Sequence, residues 1–113
     1  MTSGEFLDKE AWIEAKIVNG NGFDLLPIAK EKITELGVIA SEVEYRSVLD
    51  LLTLALDRGL EDYPNQRAMI LRTMGEVFEY LHDASSAISR YEMALELHPR
   101  IGVKRRLDQL RKI

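Results

Sequence analysis

Two stretches far apart in this chain carry the same order of residue classes, and that internal repetition constrains the fold more than any other feature. "ITELGVIA" and "LRTMGEVF" match as Ile33, Leu36, Gly37 and Ala40 against Leu71, Met74, Gly75 and Phe78. "VLDLLTLAL" and "AISRYEMAL" match as Val48, Leu49, Leu52, Ala55 and Leu56 against Ala87, Ile88, Tyr91, Ala94 and Leu95. The first pair of windows is offset by 38 positions and the second by 39, so the extra residue falls in a turn between two paired segments. Within each window the apolar positions recur at helical spacing, and no segment shows sustained apolar/polar alternation. A helix-turn-helix unit that occurs twice predicts stacked hairpins, each burying a face against its neighbour.

The remaining segments also read as helix, which makes the chain all-α. A first helix is expected from about Glu5 to Val18, with Leu7, Ala11, Trp12, Ala15 and Val18 on its apolar face. "NGNGF" breaks it and reads as a flexible interhelix loop. Asp24 is expected to cap the second helix, with Pro27 tolerated in its first turn and the helix running through Gly37. "RSVLDLLTLALDRG" gives a third helix ended by Gly59. A fourth opens near Pro64, and a fifth is capped by Asp83 and closed by Pro99. A last helix, about Ile101–Lys112, turns Val103, Leu107 and Leu110 inward and Lys104, Arg105, Asp108 and Arg111 outward.

The second unit resembles the tetratricopeptide repeat. Leu71, Met74, Gly75 and Phe78 of its first helix, Ala87, Tyr91 and Ala94 of its second, and Pro99 all fit the family spacing without a gap. The first unit keeps Leu36, Gly37 and Ala55, with Val48 where the family prefers alanine. The resemblance implies a single short array: an N-terminal helix and loop over 1–23, a degenerate repeat over 24–63, a repeat over 64–99 and a capping helix over 100–113. Residues 5–18 would cover the first unit, or a homodimer would bury one open end. Small residues allow close helix approach, so Gly75 is expected to face Ala87, while Phe78 and Tyr91 fill the wider gaps.

The resemblance further implies a concave groove lined by the first helix of each pair. That places Glu31, Thr34, Val38 and Ser41 on the groove from the first unit, and Met69, Arg72, Thr73, Glu76, Glu79 and Tyr80 from the second. Arg106 joins them if the last helix keeps the register. The implied role is a non-catalytic adaptor or assembly factor that binds a peptide or amphipathic helix of another protein. The family's clamp for chaperone tails is not expected, because Val38 and Glu76 follow the helix glycines and Thr34 stands where a cation is wanted.

Other chemistry finds little support in the residues. Gly20 and Gly22 suggest a phosphate-cradling loop, and "GNGFDL" is similar to a motif of abortive-infection proteins. Both readings need a preceding strand, yet "EAWIEAKIVN" reads as helix, and Leu25 occupies the third glycine position of a dinucleotide fingerprint. His82 and His98 fall at opposite ends of one helix with no metal or nucleophile pattern around them, so no enzyme, metal or cofactor is expected. The chain has no cysteine, no apolar run of membrane-spanning length and no secretory start, so the cytoplasm is the default address.

Charge leaves one alternative. Residues 98–113 hold six cations against Asp108 alone, whereas residues 1–97 hold nine cations and eighteen acids. Lys104, Arg105, Arg106, Arg111 and Lys112 could therefore touch nucleic acid or an anionic surface, although the acidic body disfavours it. The simpler reading is a solvated helix whose cations offset its dipole.

Overall fold

The computed structural model describes the backbone of residues 2–36 and 41–112, and side chains from Ala11 onward. Six helices follow one another: α1 (Thr2–Asn19), α2 (Gly22–Leu36), α3 (Glu42–Leu56), α4 (Pro64–Tyr80), α5 (Ala84–Leu97) and α6 (Lys104–Arg111). No strand occurs among the described residues. Each helix packs on the next in the chain, and α2 also touches α4. The protein is thus an all-α helical array, with α4 at its centre and the α4–α5 hairpin as its most extensive contact.

Local chemistry explains most of the helix ends. Ser41 caps α3 in a reciprocal box, its hydroxyl accepting from the Glu44 N–H at 3.3 Å while the Glu44 carboxylate accepts from the Ser41 N–H. The helix therefore begins four residues before the Arg46 start that apolar spacing suggests. Pro64 occupies the first turn of α4, as expected. Asp83 caps α5 by accepting from the Ser86 N–H at 3.1 Å. Gly59 adopts a positive φ of 73° just beyond α3. The last helix is shorter than the spacing implies, because Ile101–Val103 form a turn whose apolar side chains are buried.

The α4–α5 junction shows how a three-residue turn makes the hairpin. His82 donates to the Glu79 carbonyl at 3.0 Å and Asp83 to the Phe78 carbonyl at 2.9 Å, the paired bonds of a Schellman ending. That geometry puts His82 at φ 58°, a left-handed conformation that costs a residue with a Cβ about 1 kcal/mol. His82→Gly is accordingly expected to raise the melting temperature, with a gain of about 0.5–1 kcal/mol by chemical denaturation. A variant less stable than wild type would show that His82 makes compensating contacts.

The α1–α2 junction differs from its sequence reading. It is a packed joint rather than a flexible loop. Asn21, not Asp24, caps α2: the Asp24 N–H donates to Asn21 Oδ1 at 3.1 Å, and the Asn21 N–H donates to Asp24 Oδ2 at 3.2 Å. Pro27 consequently falls in the second turn, where it cannot donate to the Phe23 carbonyl. Gly22 is buried against Ala55 and Leu60, and its N–H donates to the Arg58 carbonyl at 2.8 Å. The Arg58 guanidinium returns across the joint to the carbonyls of Ile17 (2.5 Å) and Gly20 (3.2 Å), satisfying the open end of α1.

The inward face of α1 also differs. Ile13 and Ile17 pack against the core, whereas Ala11, Trp12, Ala15 and Val18 lie outward, with Trp12 54% and Val18 69% exposed. Two apolar stripes compete on this helix, and packing against α2 selects the isoleucine pair. The Trp12 ring is partly covered by the Lys16 ammonium, 5.8 Å from its centroid. The expected course of α2 through Gly37, the matched position Ala40 and the side chain of Leu7 all lie outside the described residues.

In the α4–α5 hairpin the close approach predicted for Gly75 exists, and the atoms nearest to it are those of the Tyr91 ring. A Cβ at Gly75 would stand 2.6–2.9 Å from three atoms of the Tyr91 ring. Ala87, one turn earlier on α5, is fully buried within the same core. A flat ring needs a side-chain-free strip of helix to lie on, and glycine supplies it.

Candidate interaction cleft

The seam where α4 meets α6 holds two adjoining clefts. One, of about 460 Å³, is lined by Glu76, Glu79, Tyr80, His82 and Arg106. The other, of about 350 Å³, is lined by Arg72, Glu76, Glu79, Tyr91, Gly102, Val103 and Arg106. Helical spacing explains the grouping: Glu76 follows Arg72 by four residues, and Glu79 and Tyr80 follow Glu76 by three and four, so all share one stripe of α4. The turn before α6 then brings Arg106 over that stripe.

Glu79 is the centre of the arrangement. Tyr91 donates its hydroxyl to Glu79 Oε2, and Arg106 donates to Glu79 Oε1 through Nε at 2.6 Å and through Nη2. One carboxylate thus ties α4 to both α5 and α6. Burial alone would raise its pKa, but the hydrogen bonds from Arg106 and Tyr91 outweigh that and leave it below the ordinary value of 4.5. The Tyr91 hydroxyl is pushed strongly upward by its own burial and by Glu79, so it stays protonated as a donor. A depressed carboxyl stabilises the fold above its unfolded pKa and loses that contribution as pH falls through the folded value. Glu79→Gln should therefore cost about 1 kcal/mol at neutral pH. The gap from wild type should narrow as acid titration passes below pH 4.5. Parallel stability curves from pH 7 to 3 would contradict this.

Glu76 has the opposite bias. Its side chain is half exposed, yet partial desolvation raises its pKa despite nearby Arg72 and Lys30. Arg72 Nε stands 3.7 Å from Glu76 Oε1, and Arg72 Nη1 donates to the Ile101 carbonyl at 3.4 Å. Arg72 therefore fastens α4 to the α5–α6 turn, and reversing its charge would test the fold rather than the groove. Tyr80 is 41% exposed, and its ring stacks parallel on buried Tyr45, centroids 5.1 Å apart. That backing fixes one aromatic face and leaves the other to the cleft.

Of the groove residues predicted from sequence, Arg72, Glu76, Glu79, Tyr80 and Arg106 come together here. Thr73 does not: it is 1% exposed, and its hydroxyl donates to the Met69 carbonyl at 2.9 Å. Met69 is half-buried against the core. Both miss the groove because α4 packs on α2, α3 and α5 and is buried on most of its circumference. Glu31 and Thr34 are exposed on α2. Glu31 lines a separate cleft with Ile13 and Ile28, and Thr34 donates to the Lys30 carbonyl. Ser41 serves as the α3 cap, and Val38 lies outside the described residues. Sequence reading missed His82, Tyr91, Gly102 and Val103. His82 had a readable signal, since it sits in a tight turn immediately after the Glu79–Tyr80 stripe.

The basic C-terminal patch is smaller than its sequence count. Arg106 pairs with Glu79, and Arg111 Nη2 stands 3.4 Å from Glu92 Oε2, which leaves Arg100, Lys104, Arg105 and Lys112 as exposed cations without such a pair among the described residues. Among the described residues, no cluster of three or more His, Cys, Asp or Glu side chains could hold a metal ion. No described helix is long and apolar enough to cross a membrane. The chain matches no protein-family model, and the comparisons with curated proteins and solved structures found no match.

Proposed function

We propose that this chain is a non-catalytic protein-interaction module, a short array of the tetratricopeptide-repeat kind. In this reading it works in the cytoplasm as an adaptor or assembly factor and presents the α4–α6 seam to a peptide or amphipathic helix of another protein. The observation that carries the reading is the pair of adjoining clefts, which gathers a half-exposed aromatic ring, two carboxylates and a guanidinium along one stripe of α4. Aromatic and arginine side chains are the types that interfaces favour. Glu76 and Glu79 give the seam an acidic element, so a partner with basic residues fits it best.

A displayed library of random peptides panned on the full chain tests this. Enriched peptides are expected to bind in calorimetry, and Glu76→Lys and Tyr80→Ser should each weaken them about tenfold. Glu76→Lys loses the Arg72 pair and Tyr80→Ser the stack on Tyr45, so circular dichroism melts set the temperature at which each variant is fully folded for the affinity measurement. Failure to enrich any peptide, or affinities indifferent to both variants, would remove the basis for the proposal.

A further inference from the structure

The two clefts of the seam share Glu76, Glu79 and Arg106 as lining, and of these three only Arg106 reaches in from another helix, from α6 to Glu79. Moved off Glu79, it would free the Oε1 of a carboxylate that both clefts share. We infer that Arg106 is an internal stand-in for an arginine of the partner, which docks by placing its own guanidinium on Glu79. This deepens the interaction-module reading and rests on it, naming the chemistry of the partner's anchoring residue.

The site at Glu79 is already arranged for a guanidinium. Nε and Nη2 of Arg106 converge on Oε1, while Tyr91 occupies Oε2 and holds the carboxylate in orientation. Tyr91 is seated against Gly75, so the acceptor belongs to the α4–α5 hairpin and does not depend on α6. Arginine presents two donors from one planar group, whereas lysine offers a single ammonium point.

Arg106 is also a displaceable occupant. Its side chain is 50% exposed, and ion pairs with that much solvent contact are weak. Its Nη1 also donates to Gln109 on its own helix, at 3.0 Å, and on leaving Glu79 the guanidinium would regain water. The C-terminal segment does not rely on it for anchorage, because Ile101, Val103, Leu107 and Leu110 are buried beneath. An incoming arginine would find the Tyr80 ring, fixed from behind by Tyr45, as a surface for its guanidinium or its methylene stem. Exposed Glu76 supplies a further carboxylate beside it.

The test starts from peptides enriched on the full chain carrying Arg106→Ala. Their affinities are then measured by calorimetry for wild type, Arg106→Ala and Glu79→Gln. Each peptide is also made with its arginine replaced by lysine or citrulline. One arginine should prove essential, with citrulline costing about tenfold. Arg106→Ala should bind about two- to fivefold more tightly than wild type, because no internal competitor has to leave. Glu79→Gln should abolish the preference for arginine over citrulline. Arg106→Gln keeps a polar stem on α6 and repeats the measurement should the alanine variant melt early. Peptides that tolerate citrulline, or that bind Arg106→Ala and Arg106→Gln no better than wild type, overturn the inference while leaving the seam as a docking surface. Absence of any peptide bound by wild type or variant overturns both readings.

Discussion

Gly22→Ala is expected to destabilise the fold by about 3 kcal/mol, the upper end for overpacking by one small group. A Cβ there would fall inside contact distance of the Ala55 carbonyl oxygen and of Leu60 Cδ1, and 2.6 Å from Leu60 Cγ. A leucine can rotate away, but a backbone carbonyl in the last turn of α3 cannot move without the helix. The Gly22 N–H is also bonded to the Arg58 carbonyl, so a shift of α2 to relieve the clash stretches that bond. Asn21→Ala supplies the comparison: it removes only the cap and should cost about 1 kcal/mol. Denaturant melts of the two variants distinguish a packed joint from a loop. If Gly22→Ala melts with wild type, the joint does not hold α2 against α3.

Gly75→Leu should be at least as damaging, costing about 3 kcal/mol or preventing folding. The inserted side chain would occupy the volume of the Tyr91 ring. That ring cannot swing aside freely, because it is buried in the core and its hydroxyl is held by Glu79. Gly75→Ala sets two smaller effects against each other: a gain in helix propensity of up to about 1 kcal/mol, and a Cβ placed 2.6 Å from the ring. The steric term should win, leaving a modest net loss. Pairing Gly75→Leu with Tyr91→Ala provides the decisive measurement. Tyr91→Ala alone leaves a void and costs about 3 kcal/mol, whereas the leucine in the double variant fills part of that void. The double variant should therefore be more stable than the two single losses added together predict. Strict additivity would mean that residues 75 and 91 do not share one space.

How much was legible in the sequence depended on how local each cause was. The Asp83 cap, Pro64 in the first turn and Gly59 beyond α3 follow from chemistry within a few residues, and they are found as expected. Ser41 with Glu44 was equally local, yet apolar spacing drew attention to Arg46 instead. The face of α1 was ambiguous because its sequence carries two apolar stripes, and only contact with α2 selects Ile13 and Ile17. The groove was half legible. Helical periodicity puts Arg72, Glu76, Glu79 and Tyr80 on one stripe, but it cannot show that Thr73 faces another helix or that Arg106 pairs with Glu79 across 27 positions.

The sequence by itself determined that this chain is all-α, where α4 and α5 begin, and that the glycine inside α4 marks a close helix approach. Those outcomes rest on backbone geometry, which acts over one or two turns. Tertiary structure decided what each surface meets: the Tyr91 ring on Gly75, the Arg58 guanidinium over the end of α1, and the Arg106 guanidinium on Glu79. Such pairings arise between residues far apart in the chain. They are set by which helix faces can be buried together, a choice that the order of residues constrains without spelling out.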